Sequence, residues 1–593
     1  MSQLTGLHNA MIETIRDTRF GKLMRLFSGG RLLRFPEEED PSIWTTYVKS
    51  SEETKPAQSE ISGSEYDSYE EDLEAYGLYT VMSQASRVGR RTSTVTSAPA
   101  LPSSAQRGSP TIITWALDDP EKLLVSSQIW LLTFAIYIGS AIYSPGIPSA
   151  AQHFGISSVA ATLGLTLFVL GYGVGPMLLS PLSELPAVGR SPTYVLTLVV
   201  FVFFNFGVIY ARNLGMFLAF RFLAGFLGSP ALATGGASMG DIWSPRARDY
   251  MIAIWGCFAI SAPVLGPLVG GFAAAAKGWT WTIWPLIWVS GFTLVVLFVG
   301  LPETYAPNIL SRRAARVRKI TGDAGCVSES ELELRRIRDK VESDREASHP
   351  EAISNGMVMR EQQDLLFEAL IRPFQLSFLE PIVFLLSLYI SLIYGILHIW
   401  FEAFPIIFED LHGFNAGQNG LAFLGILVGT ICLAIPGYFY WKSHYQIRYL
   451  DRNGNLPPEA QLPSACVGAV CLAFSLFWFG WTGNFASVHW IVPILASGLF
   501  SVGGCLIFNS IFTYEAHAYP TYAASVLAGN DFMRSSFGAA FPLFATAMFR
   551  NLGVGWACTL LGCLAVLLVP YPFVLLRFGR RLRLASRFAR HDI

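Results

Sequence analysis

From residue 123 onward the chain is a succession of apolar runs separated by short polar turns. A bilayer core of about 30 Å takes about 20 helical residues. Runs of that length lie near 127–149, 160–181, 192–211, 214–236, 248–271 and 281–301, and again near 380–405, 418–440, 463–483, 489–512, 520–547 and 552–576. The pattern predicts twelve transmembrane helices in two sets of six, an all-α membrane protein. Its expected parts are a disordered cytoplasmic tail over 1–122, a six-helix bundle over 123–305, a cytoplasmic linker over 306–379, a second bundle over 380–577 and a basic cytoplasmic tail over 578–593. The tail carries Glu37, Glu38, Glu39 and Asp40 and a Ser/Glu/Tyr-rich stretch over 50–75, too polar to bury a core. Within it, Arg90-Arg91-Thr92-Ser93-Thr94 reads as a phosphorylation site or as plain linker.

Composition agrees with this layout. Of 593 residues, 52% are hydrophobic and 14% charged, where soluble domains carry about 25% charge. A net charge of −1 supplies no basic field for nucleic acid. Lys and Arg set the orientation, because they stay on the cytoplasmic side. One face would carry Arg190, Arg246, Arg248, Lys442, Arg448, Arg452 and the C-terminal arginines; the other carries Arg212, Lys277 and Arg550. Both termini are therefore expected in the cytoplasm. The eight cysteines fall mostly inside apolar runs, without zinc spacing, and read as small buried residues. No metal or cofactor is expected. The chain has no Gly-x4-Gly-Lys-Ser/Thr loop, so an ion gradient is the expected energy source, and no nucleophile elbow or His-Glu-x-x-His pattern suggests an enzyme.

Charges inside spans narrow the chemistry, since each costs roughly 2.5–3.5 kcal/mol at the bilayer centre on insertion scales. Four stand out: Arg221, Glu402, Asp531 and Arg534. Arg221 is open to two readings, a functional charge facing a cavity or a structural arginine on neighbouring carbonyls. Glu402 follows Tyr394, Trp400 and Phe401, and is able to take a proton, attract a flat cation or pair structurally. Asp531 and Arg534 are three apart, share a helix face and can pair. Candidate cavity residues are Tyr143, Tyr394, Phe401, Glu402, Asn530, Asp531 and Arg534. At one membrane border, the stretch GYGVGPMLLSPLSELPAVGRSP over 171–192 ends an uncharged run from Leu123 to Ser183, then brings Glu184 close to Gly189 and Arg190.

That stretch resembles the loop between the second and third helices of the major facilitator superfamily. With Pro181, Ser183-Glu184 and Gly189-Arg190-Ser191-Pro192, it is similar to the fungal drug:proton antiporters. Gly266-Pro267 and Gly270-Gly271 in the fifth run resemble the antiporter motif, with Ala262 where a further glycine is usual. Pro302-Glu303-Thr304 resembles the exit signature of the sixth helix, and 523–544 resembles the same group. The resemblance implies the major facilitator fold, two pseudo-symmetric six-helix bundles around a midplane site. It implies proton-coupled efflux of a small toxic organic compound by alternating access: Arg221 in proton coupling, Glu184, Gly189 and Arg190 at the cytoplasmic gate, and the glycine face biasing towards export. The expected partners are a small-molecule substrate, protons and the lipid bilayer, with no nucleic acid; the expected state is a monomer, in the plasma membrane or alternatively the vacuolar one. Nutrient uptake, or a non-transporting sensor, are the alternatives. This chain departs from the group at His517, where an acid is usual and the acid stands instead at Glu515; at Gln461, where Arg is usual; and at Thr280. His517 is expected to be a surface-loop histidine.

Overall fold

The computed structural model describes residues 15–28, 33, 35, 38, 79–80, 120–321, 326–332, 335, 371, 374–449, 456–519, 523–586 and 588–589. The segment Arg90–Thr94 lies outside them. Among the described residues, eleven helices are long and apolar enough to cross a membrane. Spans 1 to 6 are Pro120–Phe154, Ser158–Ser183, Arg190–Ile209, Leu214–Ile242, Ala247–Lys277 and Trp279–Gly300. Spans 7 to 10 are Pro381–Leu411, Ala416–His444, Pro458–Thr482 and Ile491–Ala518. The last helix, Ser525–Leu584, is broken at Gly553, whose φ of 76° and ψ of 157° are not helical. Its two limbs are spans 11 and 12, completing the expected twelve. The one extended pairing among the described residues is two residues long, Tyr79–Thr80 against Cys326–Val327.

Helices are the only open-chain way to satisfy backbone polar groups inside lipid. Side chains finish their ends: Asn213 accepts from the Met216 N–H at 2.8 Å ahead of span 4, and Asn415 and Gln418 form a reciprocal capping box ahead of span 8. Span 4 is two helices, Leu214–Gly228 and Pro230–Ile242, because a proline cannot supply the missing N–H.

Contacts divide the chain into two units. The first comprises Met1–Val125, Glu184–Pro192 and Phe298–Gln362. In it, the helix Arg19–Phe27 is capped by Thr18, whose hydroxyl accepts from the Gly21 N–H at 3.1 Å. This helix lies within the stretch expected to be a disordered tail. Phe35 is buried beneath three guanidinium groups, those of Arg16, Arg25 and Arg316, the last 3.8 Å from its ring centre. Such stacking gives a short polar segment an anchor that hydropathy does not register.

The second unit, Ser126–Ser183, Thr193–Leu297 and Gln363–Ile593, holds the spans. Its two six-helix halves meet through small residues, as close packing in lipid requires. A Cβ at Gly173 of span 2 would collide with Ser535 of span 11, and one at Gly420 of span 8 would lie 2.6 Å from Leu268 Cα of span 5. Thr166 also donates its hydroxyl to the Ala539 carbonyl, 2.9 Å away.

Candidate functional site

Between the halves of this unit lies a cavity of about 500 Å³, counting its open mouth. Tyr137 of span 1 and Trp255, Gly256, Ala259, Ile260 and Pro263 of span 5 line one side. Tyr394 and Leu397 of span 7, Phe508, Asn509 and Phe512 of span 10 and Arg534 of span 11 line the other. The five aromatic side chains make it apolar and suited to a flat molecule. Gly256 leaves room for Asn509: a Cβ there would sit 3.0 Å from the Asn509 amide oxygen.

Arg534 is the charge in the wall. Its Nε donates to Asp531 Oδ1 at 2.8 Å, and its Nη2 donates to the same oxygen and to the Tyr137 hydroxyl at 2.5 Å. Its guanidinium also sits 5.1 Å from the Tyr394 ring centre. The Tyr394 hydroxyl is hydrogen-bonded to that of Tyr172, and the Tyr394 carbonyl accepts from His398 Nδ1 at 3.0 Å. Spans 1, 2, 7 and 11 are thus stitched together on one side of the cavity. Asp531 and Arg534 are both buried, and the pair removes most of the cost that either charge would carry alone.

Arg221 occupies a separate site. It is fully buried, with Nε donating to the Gly164 carbonyl at 2.8 Å and Nη2 to the Gly139 carbonyl at 3.2 Å. The rings of Phe168 and Tyr143 flank its guanidinium at 4.6 and 5.2 Å. One nitrogen, Nη1, has no hydrogen-bond partner. The carbonyl-bound arrangement anticipated as one of its two readings is therefore the geometry seen.

In the first unit, the Glu184–Pro192 turn is organised by Glu303. Its Oε1 accepts from the backbone N–H groups of Arg190 at 2.9 Å, Ser191 at 3.4 Å, Thr304 at 3.1 Å and Tyr305 at 3.2 Å. Gly189 adopts φ +81°, and a Cβ there would lie 2.5 Å from Glu303 Oε2. Only glycine meets both demands. Arg190 lies 3.9 Å from Glu184 and 5.5 Å from the Tyr305 ring centre. The Pro-Glu-Thr segment, from which the sequence promised no chemistry, is thus the acceptor that folds the turn.

A further inter-half contact involves Asp249 at the start of span 5. It is paired with Lys442 of span 8, accepts from Gln461 Nε2 at 3.3 Å, and lies 3.3 Å from His517 Nε2 of span 10. His517, expected in a surface loop, lies instead on a helix: span 10 stays helical to Ala518, and that extra turn carries the imidazole onto Asp249. Two positions where the sequence departs from its group, Gln461 and His517, meet at one carboxylate. Among the described residues, no cluster of three His, Cys, Asp or Glu forms a metal site.

The profile of the Major Facilitator Superfamily matches residues 129–542. The chain belongs to this superfamily. It is 42% identical over 494 residues to the "Transporter mfs1" of Schizosaccharomyces pombe, covering 81% of this chain and 88% of that one. It is 40% identical over 473 residues to the "Fluconazole resistance protein 1" of Saccharomyces cerevisiae, covering 79% and 81%. Among solved structures, the proton:xylose symporter XylE shares the fold with a TM-score of 0.54 at 14% identity, covering 78% of this chain and 96% of that one. As a major facilitator, the chain is a multi-pass membrane protein of a family that handles small molecules.

Within this major facilitator the expected cavity residues separate. Tyr394 and Arg534 line the cavity, and Asp531 stands behind Arg534. Tyr143 lies over Arg221, Phe401 packs on Phe423, Glu402 accepts from the Thr546 hydroxyl at 2.9 Å, and Asn530 binds Glu515. In span 5, Gly266 and Gly270 leave no space against Ala141 and Ile142 of span 1, whereas Gly271 meets Ala416 of span 8. Sequence reasoning missed Tyr137, Trp255, Phe508, Asn509, Phe512 and Asp249. Only Asn509, polar within an apolar run, and Asp249, an acid at a span boundary, left a signal that could have been followed.

Proposed function

We propose that this chain exports small, flat, largely apolar organic compounds in exchange for protons, by alternating access between its two six-helix halves. The observation that carries this is the aromatic cavity, walled by both halves and holding one paired arginine. Such a site takes its ligand by stacking and burial, with Arg534 and Asn509 fixing orientation. The named resistance relative supports the outward direction, since a membrane transporter protects a cell from an azole by lowering its internal concentration. The glycine face of span 5 supplies the close helix contacts that such motion needs, and the Gly189 turn serves as a cytoplasmic latch. Arg221 couples the motion to protons. The protein acts as a monomer in the plasma membrane.

The test is expression in a yeast lacking its own exporters, with drug sensitivity and intracellular accumulation as readouts. Raised tolerance with lowered accumulation supports export, and raised accumulation sinks it in favour of uptake. Arg221→Ala is expected to reach the membrane yet lose transport driven by a pH difference in vesicles; unaltered flux there removes Arg221 from the coupling.

A further inference from the structure

Glu515 is a buried acid near the end of span 10. It lies one turn beyond the cavity residue Phe512 on span 10, with no surface exposed. Among the described residues no cation lies within ion-pair distance of it. Its partner is Asn530 of span 11, whose Nδ2 sits 3.3 Å from both carboxyl oxygens. The acids around it have other partners: Asp249 has Lys442 and His517, Asp531 has Arg534, Glu459 has Arg583 at 3.0 Å, and Glu380 has the Ser586 hydroxyl at 2.7 Å. Among the described residues, the other ionisable groups within electrostatic reach are the phenols of Tyr514, Tyr519 and Tyr571.

An isolated carboxylate in such a place is expensive, and the neutral acid is the form a dry site accepts. A second feature says the same. The Asn530 amide oxygen is buried without a hydrogen-bond donor. A carboxylic acid and a primary amide are complementary, the acid O–H donating to the amide oxygen while the amide N–H donates to the acid carbonyl. A proton on Glu515 gives this acid–amide pair a second donor.

We infer that Glu515, held by Asn530, is the side chain that carries the coupled proton. In the cycle, an O–H bond forms at Glu515 with a proton taken from water when the cavity is open outward. It breaks when the site opens to the cytoplasm, and the proton passes to cytoplasmic water. The carboxylate left behind is costly in a dry site, so the empty cavity does not close over it; closure on the outward leg takes place with substrate bound, and reprotonation follows from the outer water. The acid belongs to this chain's own pattern, since the group to which it is similar places its acid at 517.

This inference rests on the export reading above, and the experiment separates the two. Purified full-length protein in liposomes is assayed with labelled fluconazole in two ways, flux driven by an imposed pH difference and counterflow at equal pH. Glu515→Gln is expected to lose the driven flux to the level of empty liposomes, keep counterflow and lose its pH dependence; Glu515→Asp is expected to retain both. Driven flux at the wild-type level in Glu515→Gln overturns the assignment. Absence of driven flux in the wild type overturns the export reading instead. If Glu515→Gln does not fold, infrared difference spectra decide. A carboxylic-acid band whose pH midpoint moves in Glu515→Asp supports the role, and an unmoved band overturns it.

Discussion

Arg534 and Asp531 show how a single pair shapes the cavity. Removing one partner strands the other in a dry wall, so Arg534→Ala is expected to lower stability by about 3–5 kcal/mol. Replacing both by apolar residues of similar volume, Asp531→Leu with Arg534→Met, is expected to recover most of that loss. Thermal unfolding in detergent reads both, and a double variant no better than the single one would show that the pair does not act as a unit. The pair was legible in the sequence because i, i+3 spacing on a helix fixes a shared face. Tyr137, which accepts from Arg534 at 2.5 Å, was not, because its partner is 397 positions away. The same limit hid the Asp249 cluster: Gln461 and His517 stood out as departures, but their common partner is a matter of tertiary placement. Glu303 was visible as a signature without its reason, since nothing in Pro-Glu-Thr says that four backbone N–H groups converge on it.

Among the elements, the long last helix is the clearest example of local chemistry deciding layout. Gly553 has no atom within 4 Å of where a Cβ would be, so Gly553→Ala meets no clash. Its backbone angles belong to a region that glycine nearly monopolises, and the substitution is expected to cost about 1–3 kcal/mol by strain alone. A melting temperature equal to the wild type would mean that the bend can be made another way. The twelve runs were readable because lipid permits little besides helices. The helix Arg19–Phe27 was not, since its docking depends on partners far along the chain. Within the first unit, burial and then the charges of Arg312 and Arg19 press Lys22 down to about 8 from the ordinary 10.5. The docked lysine therefore holds its proton less tightly than the free one. Docking is weakest below about pH 8, where both forms are charged, and strengthens as pH rises through the window towards 10.5. A fluorophore at Leu26, which is 78% exposed, should gain anisotropy over that window, and Lys22→Met should remove the trend.

At the scale of the whole transporter, Asp249 and Lys442 join helices from different halves. Reversing either charge alone is expected to abolish transport. Exchanging both, Asp249→Lys with Lys442→Asp, is expected to restore part of it, as judged by drug tolerance in the exporter-deficient yeast. Failure of the exchange alongside normal membrane delivery would assign the lost activity to His517 and Gln461, which keep their original polarity. In the cycle proposed above, this bridge must break and re-form once per molecule moved. A bridge made too strong would park the machine in one posture, and one made too weak would let both doors stand ajar. Its strength is therefore a throttle on turnover as much as a fastening.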